Sequence, residues 1–184
     1  MWKWLIHRKL RAFEQEHGYD ASYMHEVLDT DLGAFLKFAR AIGLSGYRRD
    51  VPPEVYVAAT LTSSVQADCG PCTQLGVGFA LREGVSEATI AAVVQGHEAE
   101  MTPEVALGVR FARAMLSRDA AVDAYRAEIQ RRWGPRAVLA LAFGVMTAQL
   151  YPALKYALGH GKACTRIVVG EQALSPRKLA AGVA

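Results

Sequence analysis

Two cysteines stand close together near the middle of the chain, in the tetrapeptide Cys69-Gly70-Pro71-Cys72. On the first turn of a helix, this spacing brings the two thiols close enough to form a disulfide with little rearrangement. The unpaired N–H groups and the dipole of a helix N-terminus favour the thiolate, which is the form of cysteine that attacks peroxides and disulfides. Gly70 allows a close backbone approach, and Pro71 fits a first turn because it lacks an N–H group. The motif therefore predicts a dithiol that cycles between its reduced and disulfide forms.

Asp68 directly precedes the motif and has a side chain that is common at helix N-caps. A neighbouring carboxylate raises the pKa of a thiol, whereas a capping carboxylate is occupied by backbone N–H donors. The sequence leaves the net effect on the two thiols open. We predict that Asp68 caps the helix, with residues 69–72 as its first turn.

The remaining cysteine, Cys164, stands four residues after His160. A structural zinc site needs four ligands at ordered spacings, and neither a second Cys-x-x-Cys nor a histidine pair accompanies Cys164. We therefore expect no metal and no organic cofactor, and we interpret Cys164 as a packed core thiol. Another interpretation treats Cys69 and Cys72 in the same way, as small buried apolar side chains. This cysteine pattern is not typical of a secreted disulfide scaffold, which favours a cytoplasmic location.

The composition indicates one globular domain. Of the 184 residues, 52% are hydrophobic and 21% are charged, which allows a sizeable core and argues against disorder over most of the chain. The net charge of +3 arises from 21 basic and 18 acidic residues. Because the balance is so even, it gives no indication of nucleic-acid binding.

Residues 1–18 have the pattern of a basic amphipathic helix. Basic and apolar residues are interleaved there, in the run Trp2, Lys3, Trp4, Leu5, Ile6, His7, Arg8, Lys9, Leu10 and Arg11. The favoured interpretation is a helix that packs on its own protein by its Trp/Leu face, and the other is contact with a membrane surface or a partner. Charged residues interrupt every apolar run, which is unlike a secretory signal.

Apolar residues recur at spacings of three and four through nearly the whole chain, which predicts an all-α, single-domain bundle of about seven helices. Caps and glycines place helices near residues 2–16, 20–43 with a break around Asp31, 55–65, 68–84, 86–96, 102–115, 123–132 and 137–154. The last of these is near the lower limit of a membrane span, but its polar residues and many alanines favour a buried central helix. Residues 166–169 come closest to a strand pattern, and residues from about 175 to 184 are expected to form a flexible tail.

A helix, a short bend, a Cys-x-x-Cys pair that opens the next helix and a short helix capped by Ser86 follow one another over residues 52–96. This arrangement resembles the alkylhydroperoxidase-D-like, or carboxymuconolactone decarboxylase-like, proteins, and more weakly so at residues 102–115 and 137–158. Thioredoxins also carry Cys-Gly-Pro-Cys, but they need a strand directly before it, whereas residues 55–68 have a helical pattern. The resemblance implies an all-α fold and a homo-oligomer, often a trimer or a hexamer. It also implies reduction of a peroxide or a disulfide, with regeneration by a thiol reductant protein.

Two residues that the resemblance implies are replaced in this chain. In the family's peroxidase motif, a histidine four residues after the second cysteine and a glutamate twelve residues before the first form a proton relay. Those places hold Gly76 and Val57 here. Loss of a general base removes about two to four powers of ten in rate. Side chains near the motif, or brought to it by the fold, are candidate supporting residues: Gln66, Asp68, His97 and His160.

The identity of the attacking thiol is open at this stage. The resemblance assigns peroxide attack to Cys72, whereas helix-end electrostatics favour Cys69. Because the relay is absent, we expect Cys69 to be the more exposed thiol and Cys72 its more buried partner.

Two functions follow from these observations. The first is a thiol-dependent oxidoreductase that reduces a small hydroperoxide or a protein disulfide through Cys69 and Cys72, and the intact tetrapeptide favours it. The alternative is a catalytically silent relative that acts as a binding, scaffold or redox-sensing protein, and the absent relay favours it. A lyase activity is disfavoured, because the decarboxylase members of the family generally lack the cysteine pair.

Overall fold

Helices form wherever the sequence spaces its apolar residues by three and four. The computed structural model describes residues 2–178, and within them lie nine α-helices, two short 3₁₀ helices and one small hairpin. The α-helices are α1 (Trp2–His17), α2 (Ser22–Thr30), α3 (Leu32–Ile42), α4 (Pro53–Gln66), α5 (Gly70–Arg82), α6 (Glu87–Gln95), α7 (Pro103–Ser117), α8 (Val122–Trp133) and α9 (Pro135–Ala157). The all-α prediction is confirmed. The described helices outnumber the expected seven in part because the pattern of residues 20–43 divides into α2 and α3.

Side-chain caps explain where several helices begin. Ser86 Oγ accepts a hydrogen bond from the Thr89 N–H at 3.1 Å, and Thr102 Oγ1 accepts one from the Val105 N–H at 3.3 Å. Asp31 Oδ1 accepts from the Ala34 N–H at 2.6 Å, which starts α3 at the predicted break. Each bond satisfies a first-turn donor that has no partner within its own helix.

α4 lies at the centre of the fold, where it contacts α5, α6, α7 and α9. Ten of its residues are buried, among them the small Ala58 and Ala59. At Gly108 of α7 the two helices approach so closely that a Cβ atom would lie 2.8 Å from the carbonyl oxygen of Val55. This packing fixes α4, whose last turn leads directly into the cysteine motif.

α9 is the one helix of residues 2–178 that has the length and apolar composition of a membrane span. Its most apolar window is 39% buried within the protein. The helix packs against α4 and α8, and Ala137, Ala140, Leu141 and Val145 are fully buried in the core that it shares with α4 and α7. One face of α9 is therefore buried as predicted, whereas Leu139 and Met146, each 48% exposed, leave the opposite face uncovered within this chain.

A short antiparallel hairpin closes the described chain. It consists of β1 (Ile167–Val169) and β2 (Gln172–Leu174), and β1 coincides with the segment that came closest to a strand pattern. The buried residues of the hairpin pack into the core of α4, α5 and α6. Of the predicted tail, residues 175–178 are described: the Arg177 N–H donates to the Val94 carbonyl at 3.0 Å. Residues 179–184 lie outside the described residues.

α1 packs on its own protein, as favoured from the sequence, but with a different face. Ile6, Leu10 and Phe13 pack against the cluster formed by α2 and α3. Trp2 and Trp4 are 78% and 57% exposed, so the expectation of a packed tryptophan face is wrong. The physical reason is helical periodicity for Trp4, which lies about 200° around the helix from Ile6 and therefore points away from the face that packs.

A row of polar contacts also joins α1 to α2. His7 Nδ1 lies 2.5 Å from His25 Nδ1, and the two rings stack with centroids 4.8 Å apart. The outer nitrogen of His7 lies 2.8 Å from an Asp29 carboxylate oxygen, and that of His25 lies 3.4 Å from Glu14 Oε2. These contacts hold the apolar side of α1 over the cavity described below.

Candidate redox site

Cys69 and Cys72 lie at disulfide distance, with their Cα atoms 5.3 Å apart. α5 begins at Gly70, so Cys69 occupies the N-cap position and Cys72 the third helical position, with Pro71 between them in the first turn. A Cα separation of this size is typical of disulfides. The predicted redox-type cysteine pair at the start of a helix is therefore present.

Residues 162–164, which we call the covering segment, cross directly over the start of α5. The Gly70 N–H donates to the Lys162 carbonyl at 3.1 Å. A Cβ atom at residue 70 would lie 2.9 Å from the Ala163 carbonyl oxygen, a distance that side chains do not tolerate. Glycine is therefore required between the cysteines by the close approach of a second backbone.

Asp68 does not cap α5, and its predicted capping role is wrong. Its backbone has a left-handed conformation, with φ of 53°, and its side chain contacts the covering segment. There Asp68 Oδ1 accepts a hydrogen bond from the Cys164 N–H at 2.6 Å and forms an ion pair with Lys178. The hydrogen bond from Lys178, and after it the one from the Cys164 N–H, lowers the pKa of Asp68.

Asp68→Asn tests this tether through the pH dependence of stability. Because the folded pKa of Asp68 is lowered, its carboxylate stabilises the fold above the ordinary value of 3.8 and loses that effect as the pH falls through the folded value. We expect the variant to be less stable than the parent at pH 7, by less than about 1 kcal/mol because the pair is partly exposed. The difference in stability between the variant and the parent should shrink in thermal melts below pH 4. Asp123→Asn, on α8, serves as the control. A constant difference across pH would contradict the tether.

The two sulfurs differ in exposure in the opposite sense to the prediction. Cys69 is 0% exposed, whereas Cys72 is partly exposed and lines a cavity. The expectation that Cys69 is the more accessible thiol is therefore wrong. The reason lies in the fold, since Cys69 sits between α4 and the covering segment while Cys72 has turned around the helix by most of one turn.

The cavity at Cys72 has a volume of about 490 Å³ and lies between α1, α2, α4, α5 and α9. Most of its wall is apolar or aromatic, including Leu10, Phe13, Met24, Leu75, Phe79 and Tyr151. The charged residues of the wall are Arg48 and Glu83, which form an ion pair with each other. A cavity of this size and lining is typical of small-molecule sites.

Val57 and Gly76, which stand at the relay places of the resembled family, both line this cavity. Neither carries a group that takes or gives a proton. A Cβ atom at residue 76 would lie 2.9 Å from Leu61 Cδ2, so the space there is already occupied by an apolar side chain. The site therefore has an apolar wall where the resemblance implies a base.

The two histidines among the candidate supporting residues contact carboxylates away from the sulfurs. Gln66 ends α4 and is not part of the cavity wall. His97 precedes a short 3₁₀ helix, where its Nδ1 lies 3.4 Å from Glu100 Oε1. His160 Nε2 lies 2.7 Å from Glu26 Oε2. Among the described residues, no histidine is in hydrogen-bonding contact with Cys69 or Cys72.

Tyr19, which no pattern in the sequence singled out, is the polar group that contacts the Cys72 sulfur. Its hydroxyl oxygen lies 3.7 Å from Cys72 Sγ and 3.4 Å from the Tyr23 hydroxyl, to which it donates. Both tyrosines are buried, and burial raises the pKa of Tyr19. The Tyr19 phenol therefore keeps its proton at neutral pH.

Lys155 lies behind Tyr19 and is only 1% exposed. Its Nζ donates to the Tyr19 hydroxyl oxygen at 3.3 Å and to the Asp20 carbonyl at 3.5 Å. The ammonium also lies over the rings of Tyr19 and Tyr23, 4.5 Å and 5.0 Å from their centroids. Burial lowers the pKa of Lys155. One sequence signal was available, because Lys155 is the first charged residue after eighteen uncharged ones in the most apolar helix.

Cys164 is the packed core thiol that the sequence predicts. It is 2% exposed, its sulfur lies 3.6 Å from Thr73 Oγ1, and burial raises its pKa. Within residues 2–178, no cluster of three or more histidine, cysteine, aspartate or glutamate side chains has a geometry that could hold a metal ion.

The function of this dithiol has to be inferred from its geometry. Comparison of the chain with protein-family models, with curated proteins and with solved structures found no match.

Proposed function

We propose that the protein is a thiol peroxidase that reduces small apolar hydroperoxides. The observation that supports this most directly is the asymmetry of the pair: the Cys72 sulfur opens into an apolar cavity, and Cys69 lies buried beside it. The Cys72 sulfur is accessible to a substrate, and the Cys69 sulfur is shielded from solvent and close enough to form the disulfide. This assigns attack to Cys72 and resolution to Cys69.

The proposed reaction has three steps. The Cys72 thiolate attacks the terminal oxygen of the hydroperoxide, the O–O bond breaks, and the products are Cys72 sulfenic acid and, after protonation of the alkoxide, an alcohol. The Cys69 thiol then displaces the sulfenic hydroxyl as water and forms the disulfide. A dithiol reductant finally returns two electrons and two protons through a mixed disulfide and becomes a disulfide itself.

The cavity favours a small molecule over a protein disulfide as the oxidant. A volume of about 490 Å³ with walls such as Phe13, Leu75 and Phe79 accepts the apolar organic group of a small hydroperoxide, whereas reaction with a protein disulfide would leave this apolar space unused. Burial of the organic group against these side chains contributes binding free energy in proportion to the apolar area.

Three further expectations stay proposals that depend on the family resemblance and the cysteine usage. They are a homo-oligomer, regeneration by a thiol reductant protein, and a cytoplasmic location. The exposed Leu139 and Met146 on α9, each 48% exposed, offer an apolar surface on which a second copy would pack. Size-exclusion chromatography with multi-angle light scattering would give the number of subunits.

The proposed function predicts fast oxidation of the reduced protein by apolar hydroperoxides. We expect cumene hydroperoxide to form the Cys69–Cys72 disulfide at least about tenfold faster than hydrogen peroxide does, after each rate is divided by its rate with free cysteine. The reaction is quenched at set times with an alkylating agent. Mass spectrometry then measures the fraction of chains in which the two thiols have become a disulfide. No preference, or no acceleration over free cysteine, would contradict the proposal.

A cavity variant sharpens this test. Ala148 lines the cavity, so Ala148→Phe narrows it and should slow cumene hydroperoxide much more than hydrogen peroxide. Ala127→Phe makes the same change on an exposed part of α8, outside the cavity, and should change neither rate. Equal slowing of both oxidants by Ala148→Phe would show that the cavity does not bind the organic group.

A further inference from the structure

The peroxide chemistry proposed above, on which this inference rests, needs a stabilised thiolate at Cys72 and a proton for the departing alkoxide. No histidine or carboxylate among residues 2–178 is hydrogen-bonded to Cys72 Sγ. The polar atom placed beside that sulfur is the Tyr19 hydroxyl oxygen, at 3.7 Å. Tyr19 is therefore the side chain in position to serve the reacting atoms.

Lys155 is a buried cation whose charge is not neutralised by a carboxylate. In the part of the chain that the structure describes, both acceptors of its Nζ are uncharged: the Tyr19 hydroxyl oxygen and the Asp20 carbonyl. The Asp20 carboxylate itself pairs with Lys162 at 3.5 Å. A desolvated ammonium without a counter-charge is unfavourable, and two tyrosine ring faces compensate only part of it. The Lys155 ammonium therefore lacks one negative counter-charge.

Reduction of the disulfide supplies that charge. Within residues 2–178, a thiolate at Cys72 would have no cation in direct contact, and the Lys155 ammonium has no carboxylate in direct contact. The Tyr19 hydroxyl lies between them and contacts both. We propose that Tyr19 and Lys155 act together in place of a histidine base, with the Tyr19 hydroxyl donating to the Cys72 thiolate and Lys155 balancing its charge through the Tyr19 oxygen.

The same pair supplies the proton of the first step. The Tyr19 O–H donates to Tyr23 while the disulfide is intact and turns to the sulfur once the thiolate forms. When the O–O bond breaks, the alkoxide takes the Tyr19 proton, the tyrosinate takes one from Lys155, and water reprotonates the amine. Tyr19 is then a catalytic residue, and Lys155 is a positioning residue that acts through it. Burial lowers the pKa of Lys155, which makes its ammonium a readier donor.

Other charges around Lys155 do not replace this role. Asp20 raises the pKa of Lys155 and Lys162 lowers it, and because these two groups pair with each other their effects on the ammonium oppose. Among the described residues, the other titratable groups near this pair include the phenols of Tyr23 and Tyr151, and burial raises the pKa of both. They also include His160, whose ring lies 6.5 Å from that of Tyr23 and whose Nε2 contacts Glu26. Lys155 is therefore the cation that balances the charge of the Cys72 thiolate.

The test measures the thiolate without any peroxide. In a Cys69→Ser background, the rate of Cys72 alkylation by iodoacetamide is followed against pH by mass spectrometry of the Cys72 peptide. We expect Lys155→Met and Tyr19→Phe each to slow alkylation about tenfold at pH 7, with the rates converging with the parent at high pH, where every thiol is ionised. The midpoint of the pH profile moves upward in both variants.

Lys37→Met, which removes an exposed charge on α3, is the matched control and should leave the profile unchanged. Tyr19→Phe keeps the aromatic ring, so it decides the question if Lys155→Met fails to fold. An unchanged profile in Tyr19→Phe, or equal slowing by Lys37→Met, overturns the inference even when peroxide turnover is normal. Slowed alkylation in a protein that reduces no hydroperoxide supports the inference and refutes the proposed function.

Discussion

We expect a Cys72→Ser variant to lose the proposed peroxide reduction completely, and a Cys69→Ser variant still to consume one equivalent of hydroperoxide per chain. The difference follows from the accessible position of Cys72 in the cavity and the 0% exposure of Cys69. Without Cys72 there is no sulfur that the substrate reaches. Without Cys69 the sulfenic acid forms but cannot become a disulfide, so turnover stops after the first step.

The measurement is a single-turnover assay with dimedone, which labels sulfenic acid. We expect the label on Cys72 in Cys69→Ser and no label in Cys72→Ser. Cys164→Ala, which removes the buried core thiol, controls for the loss of a sulfhydryl and should cycle like the parent. Labelling of Cys69 in Cys72→Ser, at the parent rate, would reverse the assignment of the two thiols.

Gly108→Ala should destabilise the protein by about 1–3 kcal/mol, although alanine is the better helix former. The added Cβ would lie 2.8 Å from the Val55 carbonyl oxygen and 3.0 Å from Val55 Cγ1. Both neighbours belong to α4, the central helix, and a backbone oxygen cannot rotate away. Relief of the overlap therefore requires α4 and α7 to separate, with loss of contact along the core.

Gly78→Ala on α5 is the matched control for this change. Its added Cβ would meet only the flexible end of Arg82, at 3.7 Å. Helix propensity alone then decides the result, and we expect stabilisation of about 0.5–1 kcal/mol. Urea unfolding of the two variants gives free energies of unfolding that change in opposite directions. A stable Gly108→Ala protein would mean that α4 and α7 are less closely packed than described.

Local signals in the sequence were sufficient for much of the fold. Ser86 caps its helix as predicted, Thr102 caps the helix that was predicted to begin there, and Asp31 marks the break between α2 and α3. Each of these hydrogen bonds joins residues three apart, so both partners fall within one short stretch of sequence. The same holds for Cys69 and Cys72, whose spacing on a helix start determines their distance.

Contacts between distant parts of the chain were not predictable in this way. Asp68 was expected to cap α5, but its side chain binds the N–H of Cys164, 96 residues later. The exposure of the two thiols was reversed for the same reason, since the later segment lies against the start of α5. Tyr19 and Lys155 are 136 residues apart, and no spacing rule connects a tyrosine after the first helix with a lysine near the end of the last.

The covering segment has a consequence for the order of the reaction. It lies against Gly70, and the neighbouring Cys69 has no exposed surface, so the Cys69 sulfur of the disulfide is closed to an incoming reductant. The reductant must then attack Cys72, the same sulfur that the hydroperoxide oxidises. Oxidant and reductant therefore compete for one atom in one cavity, and neither can act while the other is bound. The proposed peroxidase would therefore follow ping-pong kinetics, in which an excess of either substrate slows the half-reaction of the other.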